Sequence, residues 1–177
     1  MAAKTLTPIR FTAAPEQLAG RTILRLPDEA SAALPSRGQV AVTGTVDGRE
    51  FGTVVEPDGR KGHWLDLDEL PGAHGDGPVA LEITPTKQWP EPEVPDDLSA
   101  ALAAAPDIED VWDDITPMAR WEWVRWVGAT KNPATRAKRI DVTVDKMRSG
   151  KRRPCCFDLA SCTDPELSKS GRLIGAP

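Results

Sequence analysis

Between residues 9 and 83 apolar residues come in short runs, many of them alternating with polar ones, and Gly or Pro closes most runs. A period of two with regular punctuation predicts strands that turn one face inward. Ile9–Ala13 and Thr22–Leu26 are the first two, separated by a turn-like segment from Pro15 to Gly20. Pro27-Asp28-Glu29 opens a brief alanine-rich helix that ends before Pro35. Val40–Val46 and Glu50–Val55 flank Asp47-Gly48, a dipeptide that suits the two-residue hairpin turns matched to strand twist. His63–Leu67 alternates again, and Val79–Ile83 is the last strand before Pro85. This spacing predicts a small closed barrel or a sandwich, and the barrel, of six or seven strands, is the reading adopted below.

Prolines 85, 90, 92 and 95 interrupt the pattern and mark a linker. Beyond them the period shifts from two to between three and four. Leu98, Ala101, Leu102 and Ala105 make one helical stripe; Ile108, Val111, Trp112 and Ile115 make another, with acids opposite. Thr116-Pro117 predicts a third helix start, a hydroxyl cap followed by proline where no N–H is needed. Trp123, Trp126 and Val127 follow at i, i+3, i+4, widened by Trp121 and Val124. Gly128 and Asn132-Pro133 end that helix and open a fourth, whose stripe is Ala137, Ile140, Val144 and Met147, with Gly150 just past its end. The expected fold is therefore α+β: an N-terminal small closed β-barrel (1–90), a C-terminal helical module (91–153), and a cysteine-containing tail (154–177) with no period.

The net charge of −5 disfavours a general binder of nucleic acid or anionic membrane. The average hides an asymmetry. Residues 91–114 hold nine acids and no Lys or Arg, whereas residues 119–153 hold eleven Lys and Arg against three acids. Either the acidic helices face the basic ones and the fields cancel, or the basic face is kept for an anionic partner. No apolar run is long enough to span a bilayer, and the N-terminus lacks the apolar core of a secretory signal. Three cysteines within eight positions do not read as a disulfide framework. A reducing cytoplasm is the expected compartment.

Three constellations could carry chemistry. Cys155, Cys156 and Cys162 follow Lys151-Arg152-Arg153, and nearby cations favour the thiolate. Three thiolates could ligate Zn(II) or Cu(I), or react as redox thiols, or simply be buried. His63-Trp64, Trp123, Trp126, Arg136 and Arg139 could line a ligand pocket between barrel and helices, where binding sites tend to form. Against this, tryptophans at helical spacing are more often core. The basic hairpin beside its tryptophans could bind phosphates and stack on bases, although the net acidity speaks against nucleic acid. Hydrolase, P-loop and dinucleotide signatures are absent, which leaves no reaction type and favours a non-enzymatic role.

The residues also carry a resemblance. ArgLeuPro (25–27), ValThrGlyThrValAspGly (42–48), PheGlyThrValValGluProAspGly (51–59), GlyHisTrpLeu (62–65) and GlyAspGlyProVal (75–79) resemble a small β-barrel domain of unknown function found in many bacteria. GluValProAspAspLeu, then TrpAspAspIleThrProMetAlaArgTrpGluTrpValArgTrpVal and AlaThrLysAsnProAlaThrArgAlaLysArgIle, resemble the helical module of the YdeI/OmpD-associated, or bacteriocin-protection, family. The resemblance implies a link to tolerance of bacteriocins and cationic antimicrobial peptides, and to porins, without naming catalytic residues. Together these readings predict a cytoplasmic protein that sequesters a small molecule or peptide. A metal- or redox-responsive protein working through the cysteines is the alternative, and nucleic-acid binding through the basic hairpin the third.

Overall fold

The computed structural model describes residues 6–72, 74–155 and 157–175. Contacts divide them into two units. One takes the described residues within Met1–Pro90, Leu159–Cys162 and Leu167–Pro177; the other takes Glu91–Asp158 and Thr163–Glu166.

The first unit is a seven-stranded antiparallel sheet: β1 (Ile9–Ala13), β2 (Pro15–Leu18), β3 (Arg21–Arg25), β4 (Val40–Val46), β5 (Arg49–Pro57), β6 (His63–Asp66) and β7 (Val79–Pro85), in the order β1-β7-β4-β5-β6-β3-β2. Helix α1 (Asp28–Ala33) lies between β3 and β4 in the chain. Asp47 and Gly48 join β4 to β5 with φ of 50° and 73°, the left-handed pair that a two-residue hairpin turn demands.

The sheet is a half-barrel and stays open, which corrects the expected closed barrel. Its two edges, β1 and β2, are separated in the chain only by Ala14. A strand cannot pair with its own immediate continuation, because antiparallel pairing needs a turn and parallel pairing needs a crossover. Pro15 also has no N–H to give a ladder. The seam is crossed by the covalent chain instead of by hydrogen bonds. β2 itself was expected to be a turn; Pro15 is tolerated because the strand is an edge.

Period-two alternation separates two cores in this unit. Leu24 of β3 and Leu65 of β6 join Phe11, Val42, Val55 and Ile83 in the main core. Their neighbours Ile23 and Trp64 project to the other face, where they pack with Cys162, Leu167 and Leu173 of the tail. The tail is thus ordered here, as the hairpin β8 (Ser168–Lys169) and β9 (Arg172–Leu173). It is fastened by Leu173 N–H to the Asp58 carbonyl at 2.9 Å and by Arg25 Nη2 to the Ile174 carbonyl at 2.6 Å. Gly59, at φ 75°, makes the fit possible: a Cβ there would stand 2.0 Å from the Gly171 oxygen.

The second unit contains α2 (Asp96–Ala103), a 3₁₀ turn (Pro106–Ile108), α3 (Glu109–Asp114), α4 (Pro117–Gly128) and α5 (Pro133–Arg148). The cap predicted at Thr116 is present, and Asn132, expected only as part of a break ahead of the helix, caps α5 as well. Thr116 accepts from the Ala119 N–H, and Asn132 Oδ1 accepts from Ala134 and Thr135. Ala105, Ile108, Ile115, Ala119, Trp123, Val144 and Met147 form one core, and Leu98, Val127 and Ile140 a second. No helix among the described residues is long and apolar enough to cross a membrane.

Candidate functional site

The residues singled out for ligand binding divide between the units, and each is engaged within its own. His63 and Trp64, on β6, are both about 1% exposed. His63 Nε2 lies 3.0 Å from the Gly38 carbonyl and Nδ1 2.7 Å from Ser31 Oγ. A carbonyl can only accept, so Nε2 carries the proton and the Ser31 hydroxyl donates to Nδ1. Burial is the chief cause that holds the imidazole below its ordinary pKa, and it keeps the ring neutral. A hydroxyl donating to an imidazole has the outline of an activated nucleophile. Here both side chains are closed off from solvent, and the pair ties α1 and the 36–39 loop to β6. Trp64 Nε1 donates to the Pro57 carbonyl.

Trp123 is also core; its Nε1 donates to the Arg152 carbonyl at 3.0 Å, and Trp126 meets it edge-on at 6.0 Å between ring centroids. Arg139 stacks over Trp126 at 5.3 Å and donates to its carbonyl at 2.7 Å. Arg136 grips Asp97 through Nε at 2.5 Å and Nη2 at 2.8 Å.

That last contact is one of a set. Glu91, Asp97, Asp107 and Asp114, all from the acidic stretch, pair with Arg120, Arg136, Arg148 and Arg152, all from the basic one. Glu91, Asp97 and Asp107 are held below the ordinary carboxylate range chiefly by these guanidinium hydrogen bonds. Arg153 meets Glu122, whose side chain is only 3% exposed. Much of the basic field seen in the sequence is therefore answered within the unit.

The same pairs bear on the cysteines. Arg152 and Arg153 are directed at Asp114 and Glu122. Cys155 is exposed and Cys162 is buried in the second core of the first unit. Cys156 lies outside the described residues. Among those described, no group of three or more His, Cys, Asp or Glu gathers as metal ligands would.

Among the described residues, one concave feature with mixed chemistry is a groove on the second unit, about 430 Å³ in volume, lined by Val94, Leu102, Ala103, Pro106, Ile108 and Trp112 with Ser99, Glu109 and Asp113. That volume suits a drug-sized or side-chain-sized guest. Glu109 and Asp113 stand one turn apart on α3, so both carboxylates share a face with Trp112 beside them. Neither makes an ion pair among the described residues, although four other acids of the same stretch do. Arg120 is near Asp113, but its guanidinium is bound by Glu91 and by backbone carbonyls. A shallower recess on the first unit, about 440 Å³, has its two opposite charges, Arg10 and Glu82, already joined at 2.5 Å.

Sequence reasoning missed the groove. Leu102 and Trp112 were assigned to separate stripes, and the 3₁₀ turn between them brings both to one depression. The available signal was Glu109 and Asp113 at a spacing of four beside Trp112.

Residues 91–150 match a family described as bacteriocin-protection, YdeI or OmpD-associated, and residues 9–70 match a domain of unknown function, DUF1905. No curated protein and no solved structure matches the chain.

Proposed function

From a chain that belongs to the bacteriocin-protection, YdeI or OmpD-associated family and carries a DUF1905 domain ahead of the family's module, we propose a non-enzymatic binding protein. It works in the cytoplasm, and it contributes to antibiotic or bacteriocin tolerance by sequestering a cationic amphiphilic small molecule or peptide. The observation that carries this is the groove: an apolar floor, one tryptophan, and two carboxylates without ion-pair partners among the described residues. An apolar body would lie on Leu102, Ile108 and Trp112. Its ammonium or guanidinium would sit between Glu109 and Asp113, with the indole face adding attraction. Sequestration requires affinity alone, which fits a chain without a catalytic signature.

The test is a fluorescence and calorimetric titration with a twelve-residue amphipathic Leu/Lys peptide, against a Leu/Glu peptide of the same pattern. Saturable binding of the cationic peptide is expected, weakened in the E109Q/D113N variant. Two exposed ion pairs at about 0.2–1 kcal/mol each correspond to roughly a 2- to 30-fold loss. Equal binding of both peptides, or no effect of the double variant, would remove the groove as the site.

A further inference from the structure

The first unit carries a charged surface of the opposite sign. The tail hairpin brings Lys169 and Arg172 against the loop that joins β5 to β6, where Arg60 and Lys61 stand. A Cβ on Gly59 would stand 3.0 Å from Arg172 Cα, and the Leu173 N–H donates to the Asp58 carbonyl. All four cations are exposed, and none makes an ion pair among the described residues. The one acid of the loop, Asp58, turns Oδ1 to the N–H groups of Arg60 and Gly62 at 2.6 and 2.9 Å. Arg37 adds a fifth charge beside them: its Nη1 donates to the Lys61 carbonyl at 3.0 Å, and its Nη2 to the carbonyls of Ser31 and Leu34.

Two features argue against a merely solvated face. Lys169 and Arg172 are direct cross-strand partners, an arrangement in which like charges repel and destabilise the hairpin. In the helical unit of the same chain, arginine after arginine meets an acid. Here cations are gathered without an ion pair among the described residues. Whole-chain acidity does not cancel them, because screening confines each field to about 8 Å at physiological salt.

We propose that this face, the 58–62 loop with the β8–β9 hairpin, binds the sugar–phosphate backbone of a nucleic acid without reading its bases. The Gly171 carbonyl fills the place of a Cβ on Gly59, which holds the two turns, and so their cations, close together. The two turns contain Asp58-Gly59-Arg60-Lys61-Gly62 and Ser168-Lys169-Ser170-Gly171-Arg172. No aromatic is present to stack on a base, and no apolar side chain is present to enter a bilayer. Phosphate contacts alone give affinity without sequence preference.

The test is fluorescence anisotropy of the full chain with a labelled 20-base-pair duplex of mixed sequence across a salt series. Four phosphate contacts predict a log–log salt slope no steeper than about −3.6. K169Q/R172Q and R60Q/K61N should each flatten that slope by about 1.8, and asparagine is chosen because Lys61 sits at φ 75°. Circular dichroism confirms that the variants are folded. Absence of binding at low salt, unchanged binding in the combined variant, or binding to phosphatidylglycerol vesicles without binding to the duplex would overturn the proposal.

Discussion

Leu167→Ala probes whether the tail is structural. Leu167 is 0% exposed and packs with Ile23, Trp64, Cys162 and Leu173. Removing its isobutyl branch deletes buried transfer energy and leaves a void, a combination that costs about 2–5 kcal/mol in a core that cannot collapse. Three things limit collapse here. Trp64 is hydrogen-bonded in place through its indole N–H, the hairpin is pinned to Asp58, and Arg25 holds the Ile174 carbonyl. The upper half of the range, about 3–5 kcal/mol, is therefore expected. At roughly 4–8 °C per kcal/mol for a unit of about this size, the thermal midpoint should fall by more than 10 °C. Urea unfolding followed by tryptophan emission gives the free energy, and hydrogen exchange should show faster opening at β3 and β6. Lys169→Ala, on the exposed side of the hairpin, should stay within about 0.5 kcal/mol of the parent. A Leu167→Ala loss below about 1 kcal/mol would refute the assignment of the tail to a real second core.

Protonation should weaken the first unit through His63. Its folded pKa is lowered, chiefly by burial, so the unfolded chain takes up the proton first as pH falls below its ordinary value of about 6.5. Stability is full above that value and declines as pH drops through the folded pKa; His63→Gln should flatten that slope in urea titrations between pH 4.5 and 7.5. Arg153→Ala leaves the buried Glu122 carboxylate without its fork and should cost about 1–3 kcal/mol. Lysine at 153 should recover only part of this on chemical denaturation, because an ammonium cannot match the bidentate geometry. Gly48→Ala and Gly59→Ala share a left-handed φ but differ in surroundings. The first should cost about 1–2 kcal/mol of backbone strain. The second adds a collision with the Gly171 oxygen and should lower the thermal midpoint far more, with loss of hairpin protection in hydrogen exchange.

Much of the fold was legible where local chemistry decides it. Asp47-Gly48, Thr116-Pro117 and Asn132-Pro133 each dictate a turn or a cap through their own backbone, and the strands and helices around them formed as expected. What was misread depends on partners distant in the chain. Pro15 looked like a breaker because sequence does not show which strand will be an edge. Barrel closure failed at Ala14 because the last two strands to meet are consecutive in the chain. Leu167 and Leu173 carry no period, since a two-residue strand pair is too short to show one. The acidic and basic stretches were recognisable as complementary, but which acids would be matched was not. Asp107 stands in the 3₁₀ turn, and Glu109 and Asp113 differ from Asp114 only in the direction that the six-residue α3 points them.

The hydrogen bond from Arg25 to the Ile174 carbonyl joins residues 149 positions apart, and its consequence is temporal. During synthesis the strands of the half-barrel emerge before the helical unit, with Ile23 and Trp64 still bare. They stay uncovered while the ribosome makes the whole helical unit, seconds at ordinary elongation rates of about 5–20 residues per second. Strands made before the helical unit are finished by residues made after it. A nascent chain halted before residue 159 should accordingly be the form that chaperones and proteases recognise, and emergence of residues 159–175 the event that ends its vulnerability.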